Sequence, residues 1–235
     1  MGPVHGFAEA LRALENSRPR VVLSSSSDRA ADVIREHIAA GLFRPGARLP
    51  EEPIAESLGI SRNTLREALS QLIGERLLER IPNRGVFVRT PSVDDLRDIY
   101  RARRVIEPGC LRLMPADADV SDVVAAVAQG RAALDANDGD AVASANQQFH
   151  RSVVALAGSA RLDMEMSRLL AEMRLVFFRA GPAEDFHRPY VERNEQIVAA
   201  LAEGRGRADA ANLLDRYLVS AEQHLLSTYP QTGQG

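Results

Sequence analysis

The chain of 235 residues is long enough for one large domain or two modest ones. Hydrophobic residues make up 45% and aromatic residues 5%, with no tryptophan, which favours a helical protein rich in Ala, Leu and Val. The single cysteine, Cys110, excludes an intrachain disulfide framework and is typical of a reducing compartment. No apolar run approaches the roughly 18 residues that span a bilayer, and the first residues lack a signal-peptide pattern. The sequence therefore predicts a soluble, cytoplasmic protein with no membrane partner.

Charge is distributed unevenly along the chain. The net charge of −3 argues against nonspecific attraction of the whole chain to nucleic acid. Residues 20–90 hold 11 Arg against 9 acidic residues, a balance of +2, whereas residues 91–235 hold 16 Arg against 21 acidic residues, a balance of −5. Every basic residue is arginine, so each cationic contact can be a bidentate fork. This modest asymmetry does not identify a DNA-binding domain by itself.

Residues 1–27 are predicted to be a mobile N-terminal extension. They hold the pattern of a short helix over 6–16, then a proline and the serine run 24–27. The first strongly periodic helix begins at Ser27 or Asp28 and ends before Pro45, which disfavours helix at the residue preceding it.

Residues 49–88 combine two short helices with a β-hairpin. Gly59 breaks the first helix, and Ser61 can cap the second because its side chain can accept an N–H of the first turn. One face of the second helix is apolar at helical spacing: Leu65, Ala68, Leu69 and Leu72. The leading turn and the opposite face carry donors suited to phosphates and base edges: Arg62, Asn63, Thr64 and Arg66.

The hairpin follows directly, with strands predicted at 77–81 and 86–89 and a Pro-Asn-Arg-Gly turn between them. Residues 28–90 are thus predicted to form a winged helix-turn-helix, three helices plus a β-hairpin, which binds double-stranded DNA. From Ser92 the pattern stays helical, and Ser92 with Asp95 is typical of a helix start. Residues 91–235 are predicted to be an all-α six-helix bundle. Its helices are expected at 92–114, 120–136, 139–157, 160–180, 187–203 and 206–228.

The run LGISRNTLREAL at residues 58–69 and the wing IPNRGVFV at 81–88 resemble the GntR family of bacterial transcriptional regulators. The family's usual core is LA..LGVSR..VREAL. The resemblance implies a homodimeric repressor or activator on a pseudo-palindromic operator. It implies DNA contacts from Ser61, Arg62, Asn63, Thr64 and Arg66 on the second helix, and from Asn83, Arg84 and Gly85 in the wing. Glu52 departs from the pattern, because some members place an arginine there, so a DNA contact at that position is not expected.

Residues 92–228 resemble the ligand-binding domain, often called FCD, of the FadR/VanR-like branch. The resemblance rests on Asp95, Leu96, Tyr100, Arg103, Glu107, the run 146–150, Asn194, Ile197, His224 and Leu225. In metal-binding members, an Asp-x-x-x-His pair and single histidines on two later helices hold a divalent metal, and a carboxylate effector completes the shell. The resemblance implies an effector pocket with Asn146, His150, Asn194 and His224. The same four residues would form a weakened site for Zn, Ni or Mn.

Two alternatives stay open for this pocket. Asn146 and Asn194 place amides where the metal-binding pattern has a carboxylate and an imidazole, so the pocket either holds a metal weakly or is a metal-free hydrogen-bonded cluster. Arg103 shares a helix face with Tyr100 and can anchor an effector carboxylate bidentately. Equally, Arg103 can pair with Glu107 at i,i+4.

The predicted function is a DNA-binding transcriptional regulator, not an enzyme, controlled by a small-molecule effector of the carboxylate class. A metal-dependent hydrolase using His150 and His224 is one alternative, but it lacks a nucleophile and a paired general acid and base. An effector-free DNA-binding protein is another, which the inward polar cluster disfavours. Cys110 is expected to be a small core residue rather than a redox sensor.

Overall fold

A computed structural model describes residues 4–16, 26–180, 183–202 and 206–229. The chain divides into two compact units. Unit 1 comprises residues 1–91 together with 174–179, and unit 2 comprises residues 92–173 and 180–235. None of the helices within the described ranges is both long and apolar enough to cross a membrane.

Unit 1 is a winged helix-turn-helix, as predicted. Its elements are α1 (Val4–Asn16), α2 (Ser26–Ala39), β1 (Arg48–Leu49), α3 (Glu51–Leu58), α4 (Arg62–Gly74), β2 (Leu78–Ile81) and β3 (Gly85–Val88). The three strands form an antiparallel sheet in the order β1-β3-β2. The sequence did not predict β1, because a strand of two residues is too short to show an alternating pattern.

The local signals that position α4 act as predicted. Gly59 ends α3 at φ 67°, in the left-handed region where an L side chain would be strained. Ser61 caps α4 by accepting a hydrogen bond from the Thr64 backbone N–H. The predicted apolar face of α4 is fully buried: Leu65, Ala68, Leu69 and Leu72. Burying it fixes which side of the helix faces solvent.

Helix α1 occupies part of the predicted N-terminal extension. Leu14 of this helix is fully buried, and the Phe7 ring lies 6.5 Å from the Phe43 ring. The following residues, 17–25, to which the prediction of a mobile segment also applies, lie outside the described part of the chain.

The six predicted helices are present, and all of them belong to unit 2 except for residues 174–179 of the fourth. They are α5 (Val93–Leu113), α6 (Ser121–Asp135), α7 (Gly139–Ala155), α8 (Ala160–Ala180), α9 (Ala183–Ala202) and α10 (Arg207–Thr228). Helix α9 begins four residues before its predicted start. The predicted cap of α5 is present as a reciprocal box, in which Ser92 Oγ accepts from the Asp95 N–H and the Asp95 carboxylate accepts from the Ser92 N–H. The core of this unit is mostly apolar, and six of its hydrogen-bonding side chains form the second candidate site.

Candidate functional site

The exposed surface of α4 carries the donors that the sequence singled out. Ser61 Oγ lies 3.1 Å from the Thr64 backbone nitrogen and 2.9 Å from the Thr64 hydroxyl. Asn63 donates to the Glu67 carboxylate at 2.9 Å one turn later. The positive end of the helix dipole and these side chains therefore point to the same side, which suits an anionic partner.

The two arginines of α4 are each paired with a glutamate of α3. Arg62 pairs with Glu52, and Arg66 Nε lies 2.7 Å from Glu51 Oε2. Arg80 of β2 also approaches Glu51, at 3.9 Å. The Arg62 and Arg66 side chains remain 57% and 61% exposed, so both guanidiniums are available to a partner that displaces the carboxylates.

The wing tip places Asn83, Arg84 and Gly85 in a tight turn. Asn83 has φ 59° and Gly85 has φ 108°, so the turn needs residues that tolerate the left-handed region. Pro82, Asn83 and Arg84 are exposed. The Arg84 guanidinium lies over the Phe87 ring at 5.7 Å, which holds it near the end of the hairpin.

Six polar side chains from four helices of unit 2 form a second, buried feature, called here the buried polar chain. Its members are Arg103 and Glu107 of α5, Asn146 and His150 of α7, Asn194 of α9, and Tyr217 of α10. None is more than 8% exposed. The sequence predicted that four of them, Arg103, Asn146, His150 and Asn194, bind the effector, and it did not single out Tyr217.

Polar contacts within hydrogen-bond distance connect these six side chains. Arg103 Nε donates to Glu107 Oε1 at 2.6 Å, and the other Glu107 oxygen lies 2.6 Å from His150 Nδ1. The Tyr217 hydroxyl lies 3.1 Å from His150 Nε2 and also 3.1 Å from Asn146 Oδ1. The Asn194 amide donates to Asn146 Oδ1 at 2.9 Å. The buried polar chain thus begins at the Arg103 guanidinium and ends at the Asn194 amide.

Burial and neighbouring charges together determine which members of the buried polar chain are ionised. Burial alone would raise the pKa of Glu107, but Arg103 and His150 outweigh it and hold that pKa below its usual value. Burial lowers the pKa of His150, although Glu107 opposes the shift. His150 is therefore neutral near pH 7, with Nδ1–H donating to Glu107. One buried cation is balanced by one buried anion.

When His150 is neutral, the hydroxyl proton of Tyr217 has two alternative acceptors. Burial raises the pKa of Tyr217, so its hydroxyl stays protonated. The single O–H can donate either to His150 Nε2 or to Asn146 Oδ1, which are equally distant. Two atoms at the ends of the buried polar chain, Arg103 Nη2 and Asn194 Oδ1, have no hydrogen-bond partner within the described residues. A ligand that enters the bundle can pair with a donor at one end and an acceptor at the other.

Comparison with known proteins assigns the chain to a family. The sequence model described as "Bacterial regulatory proteins, gntR family" matches residues 26–88, and the model described as "FCD domain" matches residues 98–220. The chain belongs to the GntR family. It therefore combines a DNA-binding winged helix-turn-helix with an FCD effector-binding domain and is a transcriptional regulator.

Similar proteins agree with this assignment. The GntR regulator from Rhodococcus sp. RHA1 has a structure that superposes with a TM-score of 0.81 at 39% identity, covering 88% of this chain and all of that one. The transcriptional repressor GlaR of Escherichia coli is 29% identical over 212 residues, covering 84% of this chain and 91% of GlaR. The regulator BphR of Paraburkholderia xenovorans is 28% identical over 183 residues, covering 72% of this chain and 75% of BphR.

The residues present in this GntR-family chain do not fit the divalent metal that its FCD domain implies. His150 Nδ1 donates to Glu107, and Asn146 Oδ1 accepts from Asn194. The single Tyr217 O–H serves either His150 Nε2 or Asn146 Oδ1. Both Glu107 oxygens are likewise occupied, by Arg103 and His150. Zn and Ni sites are built from thiolate, imidazole and carboxylate ligands rather than from amides and a phenol. Within the described ranges, no three His, Cys, Asp or Glu side chains are placed to hold a metal.

His224 lies apart from the other predicted ligands. Its Nδ1 is 3.2 Å from the Tyr190 hydroxyl, and its ring packs on Phe186 with centroids 4.8 Å apart. Among the described side chains, it makes no hydrogen bond to His150, Asn146 or Asn194. Tyr217, rather than His224, is the residue of α10 that reaches the buried polar chain. The rule that a buried tyrosine hydroxyl needs a partner could have identified it.

Cys110 lies near this cluster but outside it. The thiol is 2% exposed, and burial raises its pKa to about 11. A protonated, buried thiol is a poor nucleophile and a poor redox sensor. This supports the prediction of a core residue.

Proposed function

We propose that this GntR-family regulator binds a pseudo-palindromic operator in the cytoplasm as a homodimer. In each subunit, Ser61, Arg62, Asn63, Thr64 and Arg66 contact the major groove and its phosphates, while Asn83, Arg84 and Gly85 contact the minor groove or backbone at the wing. The observation that carries the proposal is the exposed cluster of donors at the N-terminus of α4, held on one side by the buried apolar face.

We further propose that a small carboxylate effector bound in unit 2 changes operator affinity. The buried polar chain supports this, because a purely structural bundle has no need of six polar side chains at its centre. A regulatory effect requires that the effector bind one arrangement of the two DNA-binding units more tightly than another. The chain acts by binding, without catalysis: a hydrolase would need His150 and His224 on one metal, and each is held by other partners.

The test uses Arg62→Ala in the full chain. A double-stranded operator is first selected from a random DNA library with the wild-type protein, and affinity is measured by fluorescence anisotropy. The variant should lose about 1–3 kcal/mol of binding free energy per recognition helix, while sedimentation shows an unchanged dimer. Arg97→Ala is the matched control, because Arg97 is an exposed arginine of unit 2 paired with Asp94. Equal affinity of Arg62→Ala and wild type would refute the assignment of α4.

The effector is tested by a thermal-shift screen of small carboxylates, with and without EDTA. A ligand that binds only the folded protein raises its melting temperature. A hit that also shifts operator affinity supports the proposal. No stabilisation by any carboxylate would favour an effector-free DNA-binding protein.

A further inference from the structure

A cavity of about 310 Å³ opens between α9 and α10 of unit 2. Its volume is within the range of small-molecule sites. The residues that line it are Arg193, Gln196, Leu213, Arg216, Tyr217 and Ser220. Two guanidiniums, an amide and a hydroxyl thus surround one leucine side chain. None of these residues was singled out by the sequence.

The two arginines of this cavity are available to a ligand. Within the described residues, neither Arg193 nor Arg216 makes an ion pair or a side-chain hydrogen bond. Arg193 is nonetheless oriented, because its guanidinium lies over the Tyr190 ring at 5.1 Å. Tyr190 is itself held by its hydroxyl, which donates to the Ser220 carbonyl at 3.4 Å. Part of the ordering needed to bind an anion is therefore already present.

A neighbouring groove shows the contrast. Arg131 lines a more open surface groove that shares Gln196 with the cavity, together with Glu192 and Glu195. There the guanidinium is neutralised in a bidentate pair with Glu195, at 2.8 and 2.7 Å. An anion in this groove therefore meets a neutralised guanidinium and the carboxylate of Glu192, whereas the cavity between α9 and α10 offers two guanidiniums without an ion-pair partner among the described residues.

We infer that the cavity between α9 and α10 binds a small dicarboxylate. Arg193 and Arg216 each take one carboxylate, Gln196 and Ser220 add neutral donors, and Leu213 packs against the carbon skeleton. Inorganic phosphate would use the charges but gain nothing from the leucine. The inference goes beyond the proposed function, because this cavity is a second site that shares only Tyr217 with the buried polar chain.

Tyr217 connects the cavity to the core. One side of this residue lines the cavity, while its hydroxyl belongs to the buried polar chain and lies between His150 and Asn146. Only 3% of the residue is exposed, so it cannot move without disturbing those contacts. A dicarboxylate that packs on Tyr217 therefore contacts a side chain of α10 whose hydroxyl lies against two polar residues of α7.

The experiment titrates the full chain, in EDTA-containing buffer, with succinate, inorganic phosphate and acetate by isothermal calorimetry. Succinate should bind the wild type more tightly than either other probe. Arg193→Gln/Arg216→Gln should weaken succinate binding by about tenfold or more, because charge-assisted hydrogen bonds are lost. The matched control is Arg97→Gln/Arg168→Gln, which removes two exposed arginines elsewhere in the same unit and should change affinity by less than about twofold.

Three outcomes would overturn the inference: no succinate binding by the wild type, equal weakening in both double variants, or tighter binding of phosphate than of succinate. Circular dichroism and melting temperature establish that each variant is folded. Operator affinity without succinate is measured on the same preparations and should be unchanged in Arg193→Gln/Arg216→Gln. Failure of the wild type to bind operator DNA would defeat the proposed function, whereas the calorimetric result would stand independently.

Discussion

Arginine–glutamate pairs occur in both units of the molecule, but one is exposed to solvent and the other is buried. On α4, Arg62 pairs with Glu52 while the two side chains are 57% and 71% exposed. In the bundle, Arg103 pairs with Glu107 while the two are 4% and 0% exposed. The first pair lies in water and contributes about 0–1 kcal/mol. The second cannot lose one partner without leaving a charge in the core, at about 3–5 kcal/mol.

This difference suits the two tasks. A recognition helix must exchange its internal partners for DNA phosphates, so weak and exposed pairs leave its arginines available. An effector domain must keep its binding groups in place before the ligand arrives, so its central charges are paired and enclosed. In unit 2, His150 extends the pair by donating to the second Glu107 oxygen. Among the described residues, no third group joins the Arg62–Glu52 pair.

Breaking the buried pair should give the largest effect. Glu107→Gln leaves the Arg103 guanidinium buried without an anion, and the free energy of unfolding should fall by about 3–5 kcal/mol. Urea unfolding followed by circular dichroism measures the loss. Asp215→Asn is the matched control in the same unit, because it breaks the exposed Arg104–Asp215 pair and should cost at most about 1 kcal/mol. Similar losses in both variants would contradict the contrast between buried and exposed pairs.

The pH dependence of stability should report the buried histidine. Because the pKa of His150 is lower in the folded chain than its usual 6.5, the unfolded chain binds a proton at higher pH. The contribution of His150 to the free energy of unfolding is fully present above about pH 6.5. Below that pH it decreases by at most about 1.4 kcal/mol per pH unit. Glu107 contributes its own loss only below its usual value of 4.5.

Urea unfolding at pH 7.5, 6.5 and 5.5 measures the contribution of His150 at pH values above the range in which Glu107 is protonated. His150→Gln should lower stability at every pH but flatten its slope between pH 6.5 and 5.5 relative to the wild type. The comparison of slopes removes the contribution of the other four histidines, which are common to both proteins. An identical slope in the variant would show that His150 is not the group that titrates.

The sequence predicted the DNA-binding unit more fully than the effector unit, for a physical reason. The end of α3 at Gly59, the Ser61 cap and the apolar face of α4 depend on neighbours within a few residues along the chain. The buried polar chain depends on contacts between distant residues, such as Tyr217 with Asn146, 71 positions away. Periodicity places such residues on an inward face but does not show which of them meet. For that reason, Tyr217 was missed and His224 was grouped with the wrong neighbours.

The exposed pairs give the smallest expected effect and the most direct test of their role. Under the proposed contact of Arg62 with DNA, Glu52→Gln removes a carboxylate that would compete with the phosphates for this arginine. Operator affinity should then rise by a few-fold, within the range of about 1 kcal/mol for an exposed pair. Anisotropy titrations at several salt concentrations measure it, and the gain should shrink as salt screens the pair.

Any lost negative charge near DNA could tighten binding, so the control is Glu79→Gln. Glu79 is an exposed residue of β2 that has the same charge and no ion-pair partner among the described residues. If Glu79→Gln tightened binding as much as Glu52→Gln, general repulsion alone would explain the gain. A larger gain for Glu52→Gln means that the departure from the family pattern at this position has a function. Glu52 then lowers the affinity of each single recognition helix for DNA. Tight binding would therefore require both recognition helices of a dimer to contact the two halves of the operator.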